Sequence, residues 1–575
     1  MIKTKVENYL KKAIGQAELR SERSFTTGDV KIEVFAPEND NFGHYSTNVA
    51  LKMAKIKGEN PTAIAEKIKS VLSDRIARNY FEKIEIAAPG FINFWLTEKV
   101  LQDELKEIYK SSGKMGWNKN KIKKTIVIDY CGINIAKPMS VGHLRSTIIG
   151  QALYNILKFN GYKVIGDNHL GDWGKQFGVL IAAYKEKSKN KKLKDISLGD
   201  LMELYVDYTA RIKNNSSLEN ITKEEIKKLQ SGDKENLKIW RKFHDITFKE
   251  LKNVFNLLGI KFDYQLGESF YNPMLENIVL EALRKKVAVK SEGAIVIFIK
   301  DNTSPFIIQK SDGAYLYATT DIATVKYRVD KFKADSILYV VGNEQTFYLS
   351  QLFDAVKKIG IIKNQELAHV KFGLILGEDM KKLSTRAGKH ISLESLLKEA
   401  INRAKKIVKE KNSNLNLREK EKVAKIIGIG AVKYNDLSQN RQSDIAFNWD
   451  KMLNFEGNSG PYLQYTYARL KSILRKTNFK KYDPKYLNEK IEIDLILKLE
   501  EFPSVIERIT INYSPNYLTD YLFELAKLAN SFYQSLPVLK AEKGIKEARL
   551  ALIKTVAKTL KTGLNLLGIE APEKM

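Results

Sequence analysis

The chain predicts an α/β architecture: a doubly wound domain with an insertion, a small α+β domain before it and an α-helical bundle after it. Three observations predict this. A strand–loop–helix–strand pattern begins at Thr125 and returns from Ser336. A long charged, helical stretch, roughly residues 185–290, separates its two occurrences. From about residue 395 to the end, apolar residues recur at i, i+3, i+4 and i+7, the period of amphipathic helices.

Residues 1–115 mix helical stretches with short strands, KIEVF at 31–35, EKIEIAA at 82–88 and FINFWL at 91–96, and read as the small α+β domain. The polar, basic, glycine-containing segment 111–124 marks its boundary. Ile126, Val127 and Ile128 then form the short apolar run of a strand buried on both faces. A turn-rich loop at 131–143 leads into Leu144, Ile148, Ile149, Ala152, Leu153, Ile156 and Leu157 at helical spacing, which Gly161 ends before the strand YKVIGD. The second half repeats this order with SILYVV at 336–341, a helix from about 346 to 358 and a strand KFGLIL at 371–376. The sum is a doubly wound, Rossmann-type nucleotide-binding domain over about 120–395. A helical connector at 396–455 and a bundle at 456–575 complete the chain.

Composition sets outer limits. The 575 residues are 43% hydrophobic and 10% aromatic, enough to build cores, and no apolar run is long enough to cross a bilayer. The amphipathic N-terminus lacks the apolar core of a signal peptide, so the expected compartment is the cytoplasm. Cys131 is the single cysteine and the six histidines form no H-x-x-x-H pair, so neither a disulfide nor a structural metal site is expected. A net charge of +28 calls for an anionic partner, nucleic acid first. A lysine-rich composition drawn from an AT-rich genome would give the same charge with no partner at all.

The chemistry concentrates in a few motifs. The first is Asn134-Ile-Ala-Lys137-Pro-Met-Ser140-Val-Gly142-His143-Leu-Arg145-Ser146, on the loop between a strand and its helix. A helix N-terminus there offers unpaired N–H groups and partial positive charge to a phosphate. Gly142 permits close approach, and His143 can donate to a phosphate oxygen. This segment resembles the HIGH signature of class I aminoacyl-tRNA synthetases in its arginyl form, N-I-A-K-P-x-x-x-G-H-L-R-S, with Ser140 in place of the first histidine. Asn168-His169-Leu-Gly171-Asp172-Trp173-Gly174 is similar to the family's next strand-end loop. Lys382-Leu-Ser384-Thr385-Arg386-Ala-Gly388 resembles the KMSKS loop that closes over ATP. Thr385 replaces its second lysine, and Lys137 stands where arginyl enzymes carry a lysine instead.

The resemblance extends to substrate choice. A guanidinium calls for planar carboxylate acceptors. Asp129, Asn134, Tyr317, Asp321 and Gln345 match the arginyl family's amino-acid pocket. The match implies that Asp321 meets the guanidinium, that Asp129 and Asn134 serve the α-amino and carboxylate end, and that Tyr317 and Gln345 complete the pocket. Glu456 to Arg469, with Tyr462, Gln464 and Tyr465, resembles the start of the family's anticodon-binding domain, and LGIEAPEKM resembles its end, at Met575. Asn41-Phe-Gly43-His44-Tyr45-Ser-Thr-Asn48 and Pro89-Gly90-Phe91-Ile-Asn93 resemble the arginyl-specific N-terminal domain that meets the tRNA elbow, with Asn48 the candidate base reader and a turn or helix cap its bland alternative.

What the resemblance implies is activation of arginine by ATP and transfer to the 2′-hydroxyl of the terminal adenosine of tRNA(Arg). His143, Lys382 and Lys137 would be catalytic, with Ser140, Gly142, His143, Lys382 and Ser384 at the ATP. Mg²⁺ would arrive with ATP rather than in a protein cage, and the enzyme would act as a monomer. Three alternatives stand beside it. A cysteinyl or glutamyl synthetase would need zinc thiolates or a basic pocket, neither offered here. A catalytically silent RNA-binding relative would fit Ser140 and Thr385. A small-molecule nucleotidylyltransferase would not need the flanking domains. No Walker A sequence is present.

Overall fold

The computed structural model describes residues 2–17, 30–37, 39–73, 77, 79–111, 122–187, 193–299, 304–377, 392–411, 415–477 and 479–575. Strands β1 (Val34–Phe35), β2 (Tyr45–Thr47), β3 (Phe81–Ala87) and β4 (Phe91–Leu96) form an antiparallel sheet in the order β1-β2-β4-β3. Ile92 and Phe94 of β4 are buried beneath helices Ile2–Gln16 and Pro61–Val71, whose apolar faces cover the sheet. The sequence marks only the end of the first strand correctly: the segment 31–35 pairs at Val34 and Phe35 alone.

The central sheet is parallel. Strands β5 (Thr125–Asp129), β6 (Lys163–Asp167), β10 (Ser336–Tyr339) and β11 (Glu366–His369) lie in the order β11-β10-β5-β6. The strand order therefore reverses between β5 and β10, and such a reversal opens a crevice beyond the carboxyl ends of the two strands. Asp129 and Tyr339 are paired residues at that rim. Helix Gly142–Phe159 follows β5 and is buried almost all round. Its neighbours explain this: it touches β5 and β6 on one side and helices Leu417–Leu437, Phe502–Asn512 and Lys543–Leu566 on the other.

Between the halves run the helices Lys175–Lys187, Leu198–Ile212, Ser216–Gln230 and Lys234–Leu258, with a separate apolar core. Glycine Gly259, in the left-handed conformation, ends the last of these. An antiparallel sheet of β7 (Ala288–Ser291), β8 (Ala294–Ile297) and β9 (Phe306–Gln309) follows. This sheet is not foreseen from periodicity, because each strand is only four residues long.

KFGLIL is the other departure. The edge of the central sheet is Glu366–His369, and only β12 (Ile375–Leu376) of KFGLIL is a strand; it pairs with β13 (Ile445–Ala446) instead. The cause is local. Gly373 lies so close to Ser443 that a Cβ there would sit 2.6 Å from the Ser443 carbonyl, and Gly373 N–H donates to Arg441 O while Leu374 N–H donates to the Asp444 carboxylate. The chain is thus drawn off the sheet toward the connector. Helices Leu393–Lys411 and Leu417–Leu437 form that connector, the second opened by a capping box of Asn416 and Glu419. Helices Gly460–Arg475, Lys490–Glu500, Phe502–Asn512, Asn516–Ser535 and Lys543–Leu566 form the bundle. The N-terminal domain rests on it through Tyr45, whose hydroxyl donates to Glu500 Oε2 at 2.6 Å.

Candidate active site and bundle cavity

The loop after β5 is held in an uncommon backbone shape. Cys131 and Ala136 have positive φ values of 80° and 64°, which side chains with a Cβ seldom adopt. Several bonds impose it. Cys131 N–H donates to Ser146 Oγ (2.9 Å), which donates to Val340 O at the end of β10 (2.6 Å). Gly132 N–H donates to Asn168 Oδ1 (3.1 Å), and Ala136 N–H to Thr247 Oγ1 of the insertion (2.9 Å). The loop therefore bridges the switch point and both halves of the domain. Asn134 crosses Gly171 so closely that a Cβ at 171 would lie 2.0 Å from Asn134 Oδ1, so a larger residue there would have to push that side chain aside.

Helix Gly142–Phe159 points its N-terminus into the crevice, with no acidic residue in its first turn. Ser140 N–H donates to His143 Nδ1 at 3.1 Å, and Ser140 Oγ lies 2.9 Å from the same nitrogen. Burial lowers the His143 pKa, which favours the neutral ring. With Nδ1 accepting, the ring proton sits on Nε2, leaving that nitrogen as the donor. Lys137 holds its ammonium 4.7 Å from the centre of the Tyr205 ring, on the insertion. Ser392 bridges to Ser140, and Leu393 N–H donates to Met139 O at 2.8 Å, so the chain returning from the second motif is pinned beside the first. Lys382, Ser384 and Thr385 lie outside the described residues.

The amino-acid pocket gathers on helix Tyr317–Asp330 and around it. Tyr317 and Asp321 stand one turn apart, as expected for a helix. Tyr348 OH donates to Asp321 Oδ2, and His169 Nε2 lies 3.9 Å from Asp321 Oδ1. The Tyr317 ring is 5.0 Å from the Tyr348 ring and is 61% exposed, so it forms a wall rather than core. Gln345 and Asn134 are exposed at the rim. Burial raises the Asp321 pKa. Glu268 is pushed up to about 8, by burial first and then by the charges of Asp321 and Asp172. Two carboxyls therefore face one crevice, and among the described residues neither has a lysine or arginine in ion-pair contact.

Asp129 is placed differently. Its Oδ2 is 2.8 Å from Arg328 Nη2, the same nitrogen that lies 2.8 Å from Asp167 Oδ2; Arg328 is wholly buried. One guanidinium thus joins the ends of β5 and β6 beneath the crevice. Arg328, Asp167, Glu268 and Tyr348 escape sequence reasoning. Arg328 left one signal, its place about two turns beyond Asp321 on the same helix face. Glu268, on a short helix within the insertion, left none.

The bundle holds a cavity of about 560 Å³ lined by Tyr462, Tyr465, Arg469, Met575, Phe455 and Asn530, among others. Arg469 lies 4.8 Å over the Tyr465 ring and donates to Asn530 Oδ1 (3.0 Å), while Asn530 donates to Tyr462 OH (3.0 Å). Gln464 is not part of it. That side chain is fully buried and donates to Ile426 O (3.1 Å) and Glu570 O (2.8 Å), because its position on the helix turns it toward Leu417–Leu437. The expectation that Gln464 touches RNA is corrected accordingly. Asn48 precedes helix Val49–Lys57 without capping it, and its buried Oδ1 finds no partner.

A parallel sheet with its crevice at the strand reversal, a helix N-terminus aimed into it and a helical bundle behind fit the class I aminoacyl-tRNA synthetases, to which the catalytic-domain match assigns the chain. The family "tRNA synthetases class I (R), catalytic domain" matches residues 104–449, "DALR anticodon binding domain" residues 463–575 and "Arginyl tRNA synthetase N terminal domain" residues 1–96. The chain is 42% identical over 565 residues to an arginine–tRNA ligase of Fusobacterium nucleatum subsp. nucleatum, covering 96% of this chain and 97% of that one. The crystal structure of arginyl-tRNA synthetase from Plasmodium falciparum superposes with a TM-score of 0.85 at 29% identity, covering 100% of this chain and 99% of that one. The arginyl-tRNA synthetase of Thermus thermophilus, at 24% identity with full coverage of both chains, shares the fold with a TM-score of 0.82. The chain belongs to the arginyl-tRNA synthetase family and is an ATP-dependent arginine–tRNA ligase that aminoacylates tRNA(Arg).

Proposed function

We propose that the crevice activates arginine with Asp321 and Glu268 as the two faces of its guanidinium site. The observation that carries this reading is two carboxyl groups in one crevice, neither of which has a lysine or arginine in ion-pair contact among the described residues. A planar cation with donors on several edges satisfies both carboxylates at once. Tyr317 and Gln345 close the pocket, and Asn134 and Asp129 serve the α-amino and carboxylate end, with Asp129 oriented by Arg328. The arginine carboxylate then attacks the α-phosphorus of ATP and pyrophosphate departs, leaving arginyl-adenylate; the 2′-hydroxyl of the terminal adenosine attacks its carbonyl carbon, and AMP and the hydroxyl proton depart.

On the phosphate side, His143 Nε2–H, the Gly142 helix terminus and Ser140 meet ATP, with Lys137 and Lys382 as the cations and Ser384 beside them. Such preorganised donors act on the charge that develops in the transition state. Mg²⁺ enters as the counter-ion of the triphosphate. Among the described residues no group of three or more His, Cys, Asp or Glu could cage a metal. In the bundle, Tyr462, Tyr465, Arg469 and Met575 receive an unstacked anticodon base, and Asn48 is the candidate base reader at the tRNA elbow. The functional units divide near residues 115, 395 and 455, and the 65.7 kDa chain acts as a monomer in the cytoplasm; light scattering at the working concentration tests the former.

The deciding experiment is Asp321→Asn in steady-state pyrophosphate exchange. Removing one charge of a desolvated pair costs about 2–5 kcal/mol, which is roughly 30-fold or more in KM for arginine. KM for ATP stays nearly constant. An unchanged arginine KM places the guanidinium elsewhere.

A further inference from the structure

A second anionic ligand has a place in the bundle, on the side away from the base-sized cavity. Tyr462, Tyr465 and Arg469 line that cavity from one face of helix Gly460–Arg475. Tyr467, Lys471 and Leu474 lie about 180° around the same helix, given about 100° per residue. They line a different cavity, of about 310 Å³, together with Lys554, Lys558 and Lys561 of helix Lys543–Leu566. The three lysines repeat at i, i+4 and i+7, so they form one stripe of like charge. Such pairs destabilise a helix unless something anionic meets them.

Internal partners for this stripe are scarce. Glu573 is the one carboxylate in the lining, 3.3 Å from Lys471 and 3.9 Å from Lys561. Among the described residues, Lys554 and Lys558 have no carboxylate in ion-pair contact. Lys554 donates to Tyr109 OH at 3.1 Å and lies over the Tyr109 and Phe479 rings at 5.3 and 5.4 Å. Lys558 is 5.7 Å over the Tyr109 ring. Tyr109 comes from helix Glu98–Lys110, so the N-terminal domain reaches the lysine stripe beside the cavity, whose own lining carries the Tyr467 and Phe479 rings. Burial, and then the charge of Lys554, lower the Lys558 pKa. Lys471, Lys554, Lys558 and Lys561 thus converge on one concave site with the Tyr467 and Phe479 rings in its lining.

We propose that this cavity is a phosphate-binding site in which Lys471, Lys554, Lys558 and Lys561 hold two or more adjacent phosphate groups. Neighbouring phosphates occur both in an RNA backbone and in a free oligophosphate. The chemistry is the same, and the test separates the sources. Inorganic tripolyphosphate is titrated by calorimetry into the full-length wild type, into Lys554→Gln/Lys558→Gln, and into a charge-matched control, Lys249→Gln/Lys252→Gln, on an exposed helix face. The wild type and control bind saturably at one site, and the cavity variant binds at least about tenfold more weakly. The thermal midpoint of the ligand-free cavity variant is unchanged or higher, because like-charge repulsion has been relieved. Lys558→Gln/Lys561→Gln, which leaves the Lys554 contact with Phe479 in place, gives the same loss. If tRNA binding also weakens and its salt slope falls by about 2, the phosphates belong to RNA. If tRNA binding is unchanged, the ligand is a free oligophosphate. Equal tripolyphosphate affinity in variant and control overturns the proposal. So does a lowered thermal midpoint in both variants, which would make the lysines domain glue.

Discussion

The sheet crevice and the bundle cavity, the two sites proposed to hold substrate, are built on opposite plans. The crevice draws Asp129, Asp167, Glu268 and the Asp321–Arg328 pair from four separate segments and buries or half-buries these ionisable groups. The cavity takes Tyr462, Tyr465 and Arg469 from two turns of one helix and closes them with the chain's last residue, Met575. Charges in a low-dielectric site leave a large deficit when one member is removed. Aromatic walls contribute contact by contact and lose it by degrees. The comparison predicts abrupt failure in the first region and graded failure in the second.

Arg328→Ala is the largest test of that contrast. It leaves Asp129 and Asp167 buried without their shared cation, at a cost of about 3–5 kcal/mol. Urea denaturation should show that loss with an unchanged slope, and arginine activation should fall with it. A variant of near wild-type stability would mean that water already reaches the two carboxylates, and the crevice would then be graded like the cavity.

Lys137→Ala probes the phosphate side. A preorganised cation at a developing charge is worth about 2.7–4 kcal/mol, or roughly 10²–10³ in rate. Adenylation measured by pyrophosphate exchange should drop by that factor while tRNA binding persists, and adding Thr385→Lys should recover part of the loss. The structure adds a condition. The ammonium must leave the Tyr205 ring, 4.7 Å away, to reach phosphate. Wild-type adenylation in Lys137→Ala would leave Lys137 as a tie between loop and insertion.

The two sites were unequally legible in the sequence, and for the same reason that they differ in plan. Helix Gly460–Arg475 carries its site on consecutive turns, so Tyr462, Tyr465 and Arg469 could be named from one motif. Gln464 shows the limit, since its place in the motif could not reveal which way its helix face turns. Asp321 and Tyr317 were legible through helical spacing. Glu268 was not, because it reaches the crevice only when the whole insertion folds back, and periodicity carries no information about such long-range placement. KFGLIL misled because an apolar run signals a strand without naming its partner; Gly373 and its approach to Ser443 decided that.

Tyr465→Ala should show the graded behaviour expected of the cavity. Loss of one aromatic platform costs about 1–3 kcal/mol in stacking on a base. Tight binding of tRNA(Arg), followed by filter retention at fixed salt, should weaken by that amount, while pyrophosphate exchange with saturating tRNA changes little. Complete loss of binding would show that the cavity is as cooperative as the crevice, with the Arg469 and Asn530 contacts failing together.

The finest distinction concerns protons. With its pKa near 8 in the free crevice, Glu268 is protonated at neutral pH, and a guanidinium requires it ionised. Binding of arginine therefore releases a proton below that pKa and none above it. Affinity should rise as pH increases toward 8, by at most about tenfold per unit, or ~1.4 kcal/mol, and level off beyond. The same raised pKa acts on folding: the stability Glu268 contributes below its unfolded value is lost as pH climbs through about 8, so the crevice is least content, without ligand, under the conditions where it binds best. Isothermal titration of arginine in two buffers of different ionisation enthalpy measures the proton directly. Glu268→Gln should abolish both the proton release and the pH dependence. Persistence of either would assign the titration to Asp321, whose carboxyl shares the crevice and is raised by the same burial.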